Sequence, residues 1–184
     1  MELIGVYLIA CALLVSAGVA KAVRPADTAR ALAELVPMQF ATMVAVVRFG
    51  AVLETLVGLV ALVVPRSVPA ALVALSFMFF GGVVLYARTQ GGALASCGCF
   101  GTLDTPATKL HVVIDIALAV SAATVAVSGT PGTLASVLSH QPLHGLPLIG
   151  VSGVGTWLCV LAMSVSGELE AARRLTGVTF ERTK

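Results

Sequence analysis

FATMVAVVRFGAVLETLVGLVALVVPRSVPAALVALSFMFFGGVVLYA, residues 40–87, decides the fold. Pro65-Arg66-Ser67 divides it into two apolar runs, over residues 40–64 and 68–87. A helix needs about 20 apolar residues to cross the hydrocarbon core. Each run therefore predicts a membrane span, and the very short turn makes the pair an antiparallel hairpin. The rest of the chain has the same character: 58% of its 184 residues are hydrophobic and only 11% are charged, with a mean hydropathy of +1.03. That is too apolar for a water-soluble domain. The expected fold class is all-α, an integral membrane helical bundle in the lipid bilayer.

Working outward, residues 3–23 predict a first span. The small residues Ser16-Ala17-Gly18-Val19-Ala20 would suit signal-peptide cleavage. However, Met1-Glu2 offers no basic leader and the apolar run is too long, so the segment is expected to stay as a helix. After Arg24 the pattern becomes amphipathic. Pro25 can open a helix, and Ala29, Leu32, Ala33, Leu35 and Val36 form an apolar face, which reads as a short helix at the membrane interface.

Beyond the hairpin, residues 88–105 form a less apolar interval. Thr105-Pro106 then suits the start of a fourth span over residues 106–128, because Thr caps and Pro is tolerated at the first helical position. Gly129-Thr130-Pro131-Gly132 ends it, an uncharged loop containing His140 and His144 follows, and a fifth span covers residues 148–166. The charged tail, residues 167–184, is expected to form a short helix that frays. The whole chain is expected to be one membrane domain.

Basic residues set orientation. With five spans, Lys21, Arg24, Arg30, Arg88, Lys109, Arg173, Arg174, Arg182 and Lys184 fall on one side, against Arg66 on the other. That side is expected to be cytoplasmic, with the N-terminus outside and the C-terminus inside, in a bacterial plasma membrane. There is no basic stripe, and only 5% of residues are aromatic, so nothing points to nucleic acid.

The interval after the hairpin holds Ser96-Cys97-Gly98-Cys99-Phe100-Gly101. Two cysteines one residue apart can close a small strained disulfide, and Gly98 frees the bent backbone that closure requires. Strained, accessible disulfides are the exchangeable ones, and the start of the fourth helix would favour thiolate if it points at them. Two bland readings stand beside this one: ordinary loop cysteines, or half of a metal site in which only His111 is a nearby further donor. The positive-inside rule puts this loop on the side where thiols are kept reduced. For a loop that re-enters the bundle, depth matters more than side. Cys11 and Cys159 lie mid-span and read as packing residues.

Ionisable residues within spans carry weight because they are costly in hydrocarbon. Glu54 is near the middle of the second span and should be neutral or paired with a cation. The available cations are Lys21, at the end of the first span, and Arg48, which lies six residues before Glu54 on a different face. A structural ion pair and a proton-transfer role account for Glu54 equally. His111 and Asp115 are four residues apart, so they share a helix face just after the cysteines. A carboxylate that orients an imidazole beside a thiol would activate it; the alternative is a hydrogen-bonded pair that pins the loop.

The Ala17-Gly18-Val19-Ala20-Lys21 end of the first span, Glu54, and Cys97-Gly98-Cys99-Phe100-Gly101 before a polar-headed fourth helix together resemble the MauE/DoxX family of redox-associated membrane proteins. The resemblance covers about residues 3–128, and the cysteine run is its specific part. It implies a four-helix core, here with a fifth span added, and a role in thiol or disulfide handling for exported or redox partners. In methylamine utilisation, the MauE branch is associated with maturation of a disulfide-rich dehydrogenase subunit. Carried over by position, Cys97 and Cys99 would be the redox pair, and Lys21 and Glu54 an in-membrane polar pair.

The leading expectation is a membrane thiol-disulfide oxidoreductase, in which Cys97 and Cys99 exchange electrons with a thioredoxin-like partner and a bilayer quinone can serve as the other carrier. Two rivals are a non-catalytic membrane subunit that assembles a redox enzyme, and a small-solute or metal-ion transporter with Glu54 on its path.

Overall fold

The computed structural model describes residues 4–33, 36, 38–89, 108–128 and 133–181. Its elements are α1 (Ile4–Val23), α2 (Pro25–Ala33), α3 (Phe40–Val63), α4 (Ser67–Thr89), α5 (Lys109–Ser128), α6 (Leu134–Ser139), a 3-10 turn (Pro142–Gly145) and α7 (Leu146–Glu181). Among the described residues there is no strand, and five helices (α1, α3, α4, α5 and α7) are long and apolar enough to cross a membrane. This is the all-α membrane bundle that the composition implies.

α1 is the hub. It packs most extensively on α3, and also on α7 and α5, while α4 and α5 form a second closely packed pair. Glycines set the closeness of α1 and α3. A Cβ on Gly18 would lie 2.5 Å from Thr55 Oγ1 and 2.8 Å from the Ala51 carbonyl oxygen. One on Gly58 would lie 2.7 Å from Val15 Cγ2 and 3.1 Å from the Cys11 carbonyl oxygen. Each helix thus offers a notch to the other, which is how apolar helices gain contact where lipid removes the hydrophobic drive. The Tyr7 hydroxyl donates to the Ala61 carbonyl at 3.0 Å, so a polar tip in the packed seam is satisfied. Cys11 is fully buried in this seam. Hydroxyls elsewhere bond back to their own helix, as Thr55 does to Ala51 at 2.9 Å, so little polar surface meets lipid.

α2 lies against α3, where Ala29, Met43 and Val47 form a separate small core. The outward faces of α3, α4 and α7 carry Phe49, Leu56, Phe79 and Trp157, all more than half exposed, as expected of sides turned to acyl chains.

Two segments differ from the sequence expectation. The uncharged stretch after α5 contains α6, whose Thr133 side chain accepts from the Ser136 backbone while Ser136 accepts from Thr133 N–H. Such reciprocal capping satisfies two end donors and lets a very short helix form. The fifth span also runs on without a break to Glu181. No Pro interrupts the join to the tail, so nothing in the backbone stops the helix there. Thr105 and Pro106, the expected start of the fourth span, lie outside the described residues.

Candidate functional site

The site is built around Lys21, the basic residue in the last turn of α1. A lysine there would ordinarily reach for water, yet Lys21 is only 7% exposed. Gly18, one turn earlier, admits α3 at Ala51 and Thr55, the residues that flank Glu54. The close approach brings the Lys21 ammonium and a Glu54 carboxylate oxygen into direct contact as an ion pair, with side chains 9% and 19% exposed. That oxygen, Oε2, is buried and accepts no hydrogen bond from any other group among the described residues, so Lys21 is what neutralises it. From α4, the Phe80 ring takes the other side of the ammonium, with its centroid 4.4 Å from Nζ, a favourable placement of a cation over a π face.

Asp115 of α5 completes the group. It is 4% exposed and sits against Gly81 of α4, where an added Cβ would be 3.4 Å from Asp115 Cβ. Lys21 and Asp115 both line one cavity of about 30 Å³, whose remaining wall is mainly apolar and includes Leu13, Phe77, Leu118 and Met163. Lys21 is close enough for its charge to act on Asp115. The space suits one or two waters and is far below the several hundred Å³ of a small-molecule pocket.

His111 is also buried, at 3% exposure, but its partner is Thr108 and not Asp115. The Thr108 hydroxyl lies 2.8 Å from His111 Nδ1, and the Thr108 N–H donates to the same nitrogen at 3.4 Å. Thr108 in turn lies 3.3 Å from Ser166 Oγ, which ties the start of α5 to α7. With Nδ1 accepting, the ring proton of the neutral form is on Nε2. His111 and Asp115 therefore share a helix but serve different contacts, the first at the helix start and the second across the bundle.

Of the sequence-predicted site residues, Lys21, Glu54 and Asp115 come together. His111 is one turn away, and Arg48 is exposed on α3 with no ion pair to Glu54. Cys97 and Cys99 lie outside the described residues. Among the described residues, no group of three or more His, Cys, Asp or Glu could hold a metal. Phe80 has no signal in the sequence beyond its place in an apolar helix, and Gly81-Gly82 reads there only as a place for close helix contact or a kink.

A family model described as "Methylamine utilisation protein MauE" matches residues 2–128, from the N-terminal span through the end of α5. The chain belongs to the MauE family. The match takes in four of the five spanning helices, the cysteine run and all three members of the buried polar group, and α7 lies beyond it. No curated protein and no solved structure gives a match.

Proposed function

We propose that this MauE-family membrane protein is a thiol-disulfide redox protein whose working pair is Cys97 and Cys99. The observation that carries the reading is the Cys-Gly-Cys-Phe-Gly run inside the family match, shortly before a helix that opens on buried His111 and Asp115. One thiolate attacks a disulfide of a thioredoxin-like or exported partner, and a mixed disulfide forms. The second thiolate then resolves it, so this protein becomes the disulfide and the partner the dithiol. Two electrons and two protons move in total, and the reverse direction uses the same steps. A bilayer quinone is the second electron carrier in this reading. By the basic-residue bias the C-terminus and the cysteine segment face the cytoplasm.

The test is a redox titration of detergent-solubilised protein, read by alkylation of Cys97 and Cys99. Cys11 is fully buried and should stay silent until the protein unfolds. The reading expects a midpoint well above the roughly −300 mV of structural disulfides, and loss of electron exchange in C97S/C99S with the protein still assembled. A midpoint at or below that level, or unchanged exchange in the double variant, refutes it. Loss of a partner complex without loss of exchange chemistry would instead indicate an assembly subunit.

A further inference from the structure

We propose that Lys21, Glu54 and Asp115 form an intramembrane proton-binding site, in which Glu54 neutralises Lys21, Asp115 carries an exchangeable proton, and water in the cavity between α1 and α5 links the ammonium to the Asp115 carboxyl. The inference is independent of the cysteines: its three groups lie on α1, α3 and α5, and its test involves no thiol.

Charges held within hydrocarbon must balance. Lys21 supplies one positive charge, and Glu54 touches it directly. Asp115 is 96% buried, since its exposure is 4%, and no hydrogen bond is made to its carboxylate among the described residues. An ionised Asp115 would leave the group with a surplus negative charge in hydrocarbon, the arrangement that membranes penalise. A proton removes the surplus.

A metal cation would not serve instead. Hard cations need about six or more oxygen ligands, whereas the cavity wall is mainly aliphatic and aromatic, with one carboxyl and one ammonium as its charged groups among the described residues. Among the described residues, Asp115 shares its cavity with Lys21 from α1, the Phe77 and Phe80 rings from α4 and Met163 from α7, and lies against Gly81 of α4. On its own helix the nearest titratable group is His111, one turn away and engaged with Thr108. None of these besides Lys21 bears on the balance. A cavity of about 30 Å³ holds water only where polar partners exist, and here the ammonium and the carboxyl supply them.

Infrared spectroscopy of the whole protein at neutral pH tests this. Glu54 and Asp115 are the two carboxyls away from the span ends, Glu168 being exposed one residue from the end of the fifth span, and solvated carboxylates elsewhere are ionised and give no carboxylic C=O band. The expected result is one such band. It should shift to lower wavenumber when aspartate is labelled with carbon-13 at the side-chain carboxyl, stay in place when glutamate is labelled, and shift again on transfer to deuterium oxide. It should vanish in D115N. It should also vanish in E54Q, because Asp115 then becomes the counter-charge of Lys21. Absence of the band, a band that follows the glutamate label, or one that does not exchange in deuterium oxide overturns the proposal. The labelling is done on the unsubstituted protein, so the result does not depend on a variant folding.

Discussion

Separating Lys21 from Glu54 should reveal how much the bundle depends on one buried pair. The perturbation is a double-mutant cycle: Glu54→Gln, Lys21→Met, and both together. Removing one partner of a buried pair costs about 3–5 kcal/mol in general. The two halves here are not equivalent. In Glu54→Gln the ammonium keeps Phe80 beneath it at 4.4 Å, a contact worth about 0.5–2 kcal/mol, and Asp115 faces the same cavity. The loss is then expected below that range, about 1–3 kcal/mol. In Lys21→Met, Glu54 Oε2 is left buried without any hydrogen bond, the Phe80 contact goes as well, and the loss should reach about 3–5 kcal/mol. The double variant replaces a charged pair by a polar and an apolar side chain of similar size, and should recover to within about 1–2 kcal/mol of the parent. The coupling energy, the sum of the single losses less that of the double variant, is then about 2–7 kcal/mol, where each 1.4 kcal/mol is about tenfold in the unfolding equilibrium. Titration of detergent-solubilised protein with sodium dodecyl sulfate, followed by the fluorescence of the single tryptophan, Trp157, reads all four corners. A coupling within about 0.5 kcal/mol of zero, or Glu54→Gln costing more than Lys21→Met, would refute the reasoning.

Two further outcomes follow from the packing. Gly18→Ala places a methyl 2.5 Å from Thr55 Oγ1 and 2.8 Å from the Ala51 backbone oxygen, and should lower stability by about 1–3 kcal/mol through overpacking, whereas Gly50→Ala, with nothing within 4 Å, should change it by less than about 0.5 kcal/mol; equal melting shifts for the two would contradict the notch. His111→Ala removes the acceptor for the Thr108 N–H and the nearest partner of its hydroxyl, so it should cost about 1–3 kcal/mol and speed amide exchange in the first turn of α5. Unchanged exchange there would show that Thr108 is held by other means.

Much of the fold was legible because the solvent is lipid. Five apolar windows separated by Pro65-Arg66-Ser67 and by other Pro- and Gly-rich breaks leave few other structures for the chain to form. What the sequence left unreadable depends on contacts between helices. Helical spacing pairs Asp115 with His111 because both are on α5, but which neighbour a side chain meets is set by the packing of α4 and α1 around it. Gly81, readable from the sequence only as a packing residue, turns out to face Asp115. Family resemblance singles out the Lys21–Glu54 pair; the sequence alone leaves Arg48 as a second available cation, on a different helix face from Glu54. α6 was missed because its capping uses Ser136 where a Glu or Gln is the usual signal.

The placement of the polar group explains why it is buried. The bundle consists largely of two closely packed pairs, α1 with α3 and α4 with α5, and Lys21 stands where they meet. It binds Glu54 within its own pair and reaches Phe80 and the Asp115 cavity in the other. In a lipid solvent the two pairs have no hydrophobic reason to associate, so a charge satisfied from both sides supplies specificity that greasy surfaces lack. α7, outside the family match, packs at this junction too, through Met163 in the cavity wall and Ser166 beside Thr108. The segment bearing Cys97 and Cys99 joins α4 to α5. Both ends of that segment thus belong to the pair that meets α1 at Lys21, so the buried charges and the proposed redox pair share one helical frame.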